Sequence, residues 1–417
     1  MRSPNRRGRA VAWSVIGAVI ASAVATARAD VASDQAAAIL VFPKVVVDTS
    51  VPPQTDRGRV DTLIRVSNTS KQAVSVHCFW VNANGHCSNA PLTVCDPNVF
   101  GAGSPCGVSG ICQPGWQETD FFVNITAQQP VAWLASQGAR ACDDTTDPQV
   151  PCFPLDANGP PGPKNNGGSS VLAVAEDPFV GELKCVAVDP NDLPVDKNVL
   201  KGEAEIIRSN KTLIDVDAYN AIGIPAIPGA NNGDSTLVLG GGCVGGTAAQ
   251  APCTTNSDCP GGRCAIGEYS SCPNVLILDH FFDGVDDPVS GKTVTTDLTL
   301  VPCSEDFLNQ VPVKTAVQFL VFNEFEQRFS NSRSVTCFQE FRISNIDTTS
   351  PDRSIFSAAV SGTLTGQTRI RGVADQDQTH GHTLLGVAEE FRSDGGTAAF
   401  NLHFQGTRPQ ADFIYLP

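Results

Sequence analysis

The sequence predicts an all-β protein built as two tandem immunoglobulin-like β-sandwich domains with disulfide-rich insertions. Three observations lead there. Short apolar runs alternate with polar residues at a period of two and are broken by turn residues. Gly and Pro number 37 and 29 in 417 residues, and no segment reads as a three-turn amphipathic helix. The best helical candidate, 383–392, reads equally well as a strand. Finally, 15 cysteines stand behind an export signal, and dense cysteine in an exported chain reads as a disulfide framework.

The signal comes first in the chain. Arg2, Arg6, Arg7 and Arg9 precede an apolar run over 11–24, and Ala27-Arg28-Ala29 supplies an A-x-A site. Cleavage is therefore expected between Ala29 and Asp30. The run is shorter than the ~20 residues of a spanning helix, and no later segment approaches that length, so no membrane span is expected after its removal. Losing residues 1–29 takes five arginines from 28 basic residues and leaves all 43 acids, a formal charge of −20. That charge disfavours nucleic acid and anionic lipid as partners. The expected location is extracytoplasmic (periplasmic, cell-surface or secreted) and bacterial.

The first sandwich is expected over 30–222. Residues 38–47 form a β-branched run interrupted by Pro43, which suits an edge or bulged strand. Val60, Thr62, Ile64 and Val66 share one face of the next strand, and Val74, Val76, Cys78 and Trp80 share a face of its hairpin partner. Strands follow at 121–125, 182–188, 203–207 and 212–219. A cysteine-rich insertion occupies 86–114 and a Pro/Gly-rich loop 142–170. Residues 223–272 read as a Gly/Pro-rich linker with a cysteine-rich module, and 273–417 as the second sandwich. The halves read as copies: 39–46 parallels 275–282, 64–68 parallels 319–323, and Val76-His77-Cys78-Phe79 parallels Val335-Thr336-Cys337-Phe338.

The cysteines fall into two clusters, Cys87, Cys95, Cys106, Cys112 and Cys243, Cys253, Cys259, Cys264. The expected pairing is Cys142–Cys152, Cys78–Cys185 and Cys303–Cys337, two bridges inside the first cluster, and two inside the group of five that adds Cys272. One thiol is left over. The string Cys253-Thr-Thr-Asn-Ser-Asp-Cys259-Pro-Gly-Gly-Arg-Cys264 resembles short cysteine-rich modules of secreted bacterial proteins. That resemblance covers about 20 residues and implies a disulfide-knotted loop with no catalytic role. Zinc is the competing reading, but only Cys259-x4-Cys264 approaches the close pairing zinc sites favour.

Motifs for chemistry are sparse. Gly240 to Gly245 matches G-x-G-x-x-G, yet no helix follows to face a pyrophosphate. Asp283, Asp286 and Asp287 form an acidic turn that could hold calcium, although its spacing is not that of the twelve-residue calcium loop. Asp375, Asp377, His380 and His382 lie in a polar loop. Glu203 and Glu205 share one strand face, as glycosidase acids sometimes do. A nucleophile elbow and H-E-x-x-H are both absent from the sequence. The expectation is thus a secreted or cell-surface structural or binding protein without catalytic activity, needing no cofactor beyond a possible calcium. A surface polymer, another protein or a second copy would be its partner. A hydrolase with an unfamiliar site, a calcium-dependent carbohydrate-binding module and a two-domain periplasmic assembly chaperone are the alternatives.

Overall fold

A computed structural model describes residues 31–50, 58–95, 105–113, 115–139, 170–210, 214–248, 251, 253–373, 383–408 and 411–417. Ala29 and Asp30, Cys142 and Cys152, and the group Asp375, Asp377, His380 and His382 lie outside these residues. No helix among them is long and apolar enough to cross a membrane. The described chain is all-β, its single α-helix, α1 (Ala358–Ser361), being four residues long.

In the first half, β1 (Ile39–Val47), β2 (Arg59–Asn68) and β3 (Val74–Asn82) precede three insertion strands, β4 (Gly85–Cys87), β5 (Ala90–Cys95) and β6 (Cys112–Gln113). Then follow β7 (Gln117–Ile125), β8 (Pro130–Leu134), β9 (Phe179–Val188), β10 (Leu200–Ser209), β11 (Ile214–Asn220) and β12 (Ile222–Ile224). Two antiparallel sheets result, ordered β12-β1-β9-β3-β7 and β11-β10-β2-β8. Their facing residues, among them Leu40, Phe42, Trp80, Phe121, Trp133 and Ile206, form one core. Burying each such side chain contributes roughly 1.5–3 kcal/mol. Gly202 lets β10 approach this core: a Cβ there would sit 2.6 Å from Phe42 Cζ. In an immunoglobulin sandwich the first strand lies beside the second, in the same sheet. Here β1 lies beside β9 in one sheet and β10 takes the place next to β2 in the other.

Pro43 sits where the register of β1 slips between Phe42 and Val45, a bulge that spares proline a ladder bond. β1 is nevertheless an interior strand. The bulge frees the backbone of Lys44, and the Tyr219 hydroxyl takes it up. That hydroxyl accepts from Lys44 N at 3.2 Å and donates to Lys44 O.

The connecting segment contains β13 (Thr236–Leu239), β14 (Gly242–Gly245) and β15 (Gly262–Ala265). The second half holds β16 (Pro273–Phe281), β17 (Val285–Asp286), β18 (Thr293–Pro302), β19 (Glu305–Asp306), β20 (Lys314–Asn323), β21 (Arg328–Thr336) and β22 (Gln339–Arg342). It continues with β23 (Thr365–Val373), β24 (Leu384–Arg392), β25 (Thr397–Asn401), β26 (His403–Thr407) and β27 (Asp412–Tyr415). Its sheets run β21-β20-β23-β16-β26 and β17-β18-β24-β25, with β22 also paired to β18.

Taken in chain order, β1, β2, β3, β7, β8, β9, β10, β11 and β12 occupy the same places in their sheets as β16, β18, β20, β21, β22, β23, β24, β25 and β26. Register fixes the residues. Cys78 faces Cys185 and Asn82 faces Gly181 across β3 and β9, while Phe319 faces Ile370 and Asn323 faces Gly366 across β20 and β23. Both asparagines accept the amide of the residue two positions on, Asn84 and Phe325, each at 3.0 Å. In β10 and β24 the pattern is Leu200-x-Gly202-x-Ala204-Glu205-x-x-Arg208 and Leu384-x-Gly386-x-Ala388-Glu389-x-x-Arg392. Of the three sequence parallels, 39–46 with 275–282 falls on matching strands. The other two fall on non-matching strands, since 319–323 lies in β20, the counterpart of β3, and 335–336 ends β21, the counterpart of β7.

A third layer joins the halves. β27 pairs with β13 and, in parallel, with β19. This small sheet and the ends of β18 and β24 cover the outer face of the first five-stranded sheet, burying Ile39, Val41, Phe79, Val186 and Ile222 with Phe307, Leu385 and Ile414. That is why β1, β3 and β9 are buried on both faces instead of alternating.

Candidate functional site

The outer face of the first five-stranded sheet carries a dense row of titratable side chains. Register places Phe79 beside Asp120 on one side and Lys184 on the other, with Val81 between Glu118 and Glu182. At the β7 edge His77 is clamped between two carboxylates, Nδ1 at 3.0 Å from Asp192 and Nε2 at 2.9 Å from Asp120, with Phe122 stacked on its ring at 4.0 Å. Burial, and then the charge of Asp120, push Glu118 up to about 7.

Toward the interior the covering layer closes over the row. Lys184 Nζ donates to Glu182 at 3.2 Å, to Glu305 of β19 at 2.8 Å and to the Pro302 carbonyl at 3.1 Å. Burial would strip the proton from Lys184, but the two glutamates outweigh it and hold the ammonium. Burial and the neighbouring Glu305 push Glu182 up to about 8, against the pull of Lys184. Each glutamate keeps one oxygen without a donor among protein N–H and O–H groups. A single proton shared between the two carboxyls would satisfy both oxygens and would make the trio of Lys184, Glu182 and Glu305 neutral.

A second buried network lies farther along the seam. Lys44, freed by the bulge of β1, reaches Glu340 of β22 at 2.8 Å and also Glu389 of β24. Arg208 of β10 donates to Glu389 at 2.7 Å and pairs with Asp217. Burial would raise Glu389, but Lys44 and Arg208 outweigh it and hold the carboxyl below its ordinary range. Both networks therefore tie a cation of the first half to a carboxylate of the second.

The sequence candidates are placed as follows. Six bridges are formed among the described residues: Cys78–Cys185, Cys87–Cys106, Cys95–Cys112, Cys243–Cys259, Cys253–Cys264 and Cys272–Cys303. Both clusters interlace first to third and second to fourth. The expected Cys303–Cys337 bridge is corrected: Cys303 takes Cys272, and Cys337 is free and buried. Cys272 precedes β16 and Cys303 follows β18, so chain reversal brings them together. Cys337 instead sits in a left-handed turn at φ 49°, and burial pushes its thiol well above the ordinary range. The sulfurs that lie close enough to hold a metal, in Cys87, Cys95, Cys106 and Cys243, Cys253, Cys259, are bridge sulfurs.

The three aspartates of the calcium reading turn to different partners. Asp283 accepts from the amides of Thr296 and Ser344, Asp286 from Thr293 Oγ1, and Asp287 from Val289 N and Ser290 Oγ. They form no three-ligand cluster among the described residues. Gly240 turns at φ 73° into strand β14, not into a helix. Glu203 and Glu205 both engage Arg65 across the outer face of the four-stranded sheet. Beside them lies a cleft of about 690 Å³ that also meets Asp34, Lys201 and Asn220. An acid pair held by one guanidinium is poorly disposed to donate and accept protons in turn.

Sequence reasoning missed Lys44, Lys184, Glu182, Glu305 and His77. The available signal was a charged residue within an otherwise apolar run, as in Phe42-Pro43-Lys44-Val45 and Leu183-Lys184-Cys185. Comparison with protein-family models and with curated proteins found no match.

Proposed function

We propose that this chain is an extracytoplasmic structural or binding protein. In this reading two related Greek-key sandwiches of immunoglobulin-like character, arisen by internal duplication, are locked into one rigid unit that works through its outer surfaces. The observation that carries it is the placement of the buried ionisable groups. Lys184–Glu305, Lys44–Glu389 and Arg208–Glu389 each bridge the two halves, so these buried ionisable groups join domains. A buried pair contributes little net stability yet penalises any arrangement that separates the partners. The bridges of the described residues fit an oxidising compartment, and the interlaced pairs fasten exposed insertions that are too small to hold a core. A leader removed at Ala29 belongs to the same reading.

The test is binding of the mature protein to intact cells and isolated cell-wall polymers, with and without chelator, alongside a panel of glycosidase and esterase substrates. Saturable, chelator-resistant binding without turnover is the expected result. Turnover abolished by Glu203→Gln or Glu118→Gln would overturn it in favour of a hydrolase.

A further inference from the structure

The outer face that is covered in the first half has an open counterpart in the second. In the first half Lys184 stands in register between Phe79 and Val41. Glu305 bonds the ammonium at 2.8 Å, and Phe307, two residues on, stacks on Phe79 at 4.2 Å with 4° between the rings. In the second half the matching residue is Arg369, which stands in register between Leu320 and Ile277. A central cation flanked by two apolar side chains thus occurs twice on equivalent faces.

The surroundings differ. Arg369, Leu320 and Ile277 are only partly buried, and Arg371 and Lys314 on the same face are exposed. The Arg369 guanidinium donates to Gln405, a neutral group, and makes no ion pair among the described residues. Arg328, in register with Phe322, adds a fourth cation to this face, and opposing the four are Asp279, engaged by Gln367 at 3.0 Å, and Glu324, engaged by Thr365. A chain of formal charge −15 therefore concentrates positive charge on one sheet face.

We propose that the face of β20, β23 and β16 around Arg369 is a docking surface for a polypeptide segment of another protein that carries a carboxylate two residues from an aromatic side chain. The carboxylate would meet Arg369 and the ring would lie on Leu320, as Glu305 and Phe307 do on Lys184 and Phe79. Charge complementarity selects an acidic occupant. It disfavours this face meeting its own copy across a two-fold axis, because like charges would be opposed. The elements that cover the first face are already engaged within the chain, so a second copy has no spare β19 to offer. The inference deepens the proposed binding role and rests on it.

The probe is a synthetic peptide of residues 301–310 with Ser at 303, its binding to the full mature protein followed by fluorescence anisotropy at several salt concentrations. Saturable, salt-sensitive binding is expected. Arg369→Glu should weaken it about tenfold or more, the scale of a ~1.4 kcal/mol contact, and Leu320→Ala should weaken it several-fold. A peptide with Lys in place of Glu305 should prefer the Arg369→Glu protein, and unchanged melting temperatures would show that the variants fold. Failure of the peptide to bind, or equal binding to wild type and Arg369→Glu, would overturn the proposal. Self-association lost in Arg369→Glu would overturn it in favour of a second copy. Binding of dextran sulfate that ignores Leu320→Ala, with no peptide binding, would overturn it in favour of an anionic polymer. Absent cell binding with intact peptide binding would count against the broader role alone.

Discussion

Replacing Glu182 by Gln isolates the shared proton of the seam. The side chain is fully buried, 3.2 Å from Lys184 Nζ, with one oxygen lacking a donor. Glutamine keeps the shape, still accepts from Lys184, and supplies an N–H toward Glu305. What it removes is ionisation. A free glutamate titrates near ~4.3, whereas burial and Glu305 raise this one to about 8. The folded pKa lies above the unfolded one, so the folded state holds more protons between the two values. The associated stability is complete below ~4.3 and is lost as pH rises through about 8. Each pH unit in that window is worth ~1.4 kcal/mol, which sets a ceiling of about 5 kcal/mol. Local relaxation and water entry reduce this to ~2–4 kcal/mol. Urea unfolding with disulfides intact, followed by far-ultraviolet circular dichroism from pH 5 to pH 9, reads the difference. Glu182→Gln should match wild type within ~1 kcal/mol at pH 5 and exceed it by ~2–4 kcal/mol at pH 9. Parallel stability curves for the two proteins across that range would refute the shared proton.

Three further outcomes follow from the same geometry. Lys44→Met leaves Glu389 buried with Arg208 as its remaining cation and should cost about 3–5 kcal/mol in urea unfolding, whereas Lys44→Met combined with Glu389→Leu should recover part of that loss. Native protein treated with iodoacetamide should yield no modified Cys337 peptide, and unfolded protein should yield it fully, because burial keeps that thiol protonated and out of reach. Disulfide mapping should recover a Cys272–Cys303 peptide, and Cys272→Ser should lower stability by about 3–4 kcal/mol, as expected for a loop of 31 residues.

Much of the fold is legible from local pattern. Alternation in 60–67 marks β2 because only one of its faces packs into the core, and Val74, Val76, Cys78 and Trp80 mark the inward face of β3 even though the covering layer buries its other face as well. Pro43 announces its bulge because proline has no N–H for the ladder. The ambiguous 383–392 segment is strand β24: Leu384, Gly386 and Ala388 alternate toward the core against β18. The Cys78–Cys185 bridge is also foreseeable, since both residues sit on inward faces of adjacent strands.

The sequence by itself therefore determined the all-β class, the disulfide-stapled character and the faces of the strands, because these depend on periods of two and on the chemistry of single residues. Tertiary structure alone decided which outer face is covered, that Cys272 and not Cys337 bonds Cys303, and that Lys44, Lys184 and Glu305 meet in a seam. Those outcomes depend on groups brought together from 31 to 345 positions apart. No local period encodes such distances, and only the free energy of burying both halves against each other selects among the possible partners.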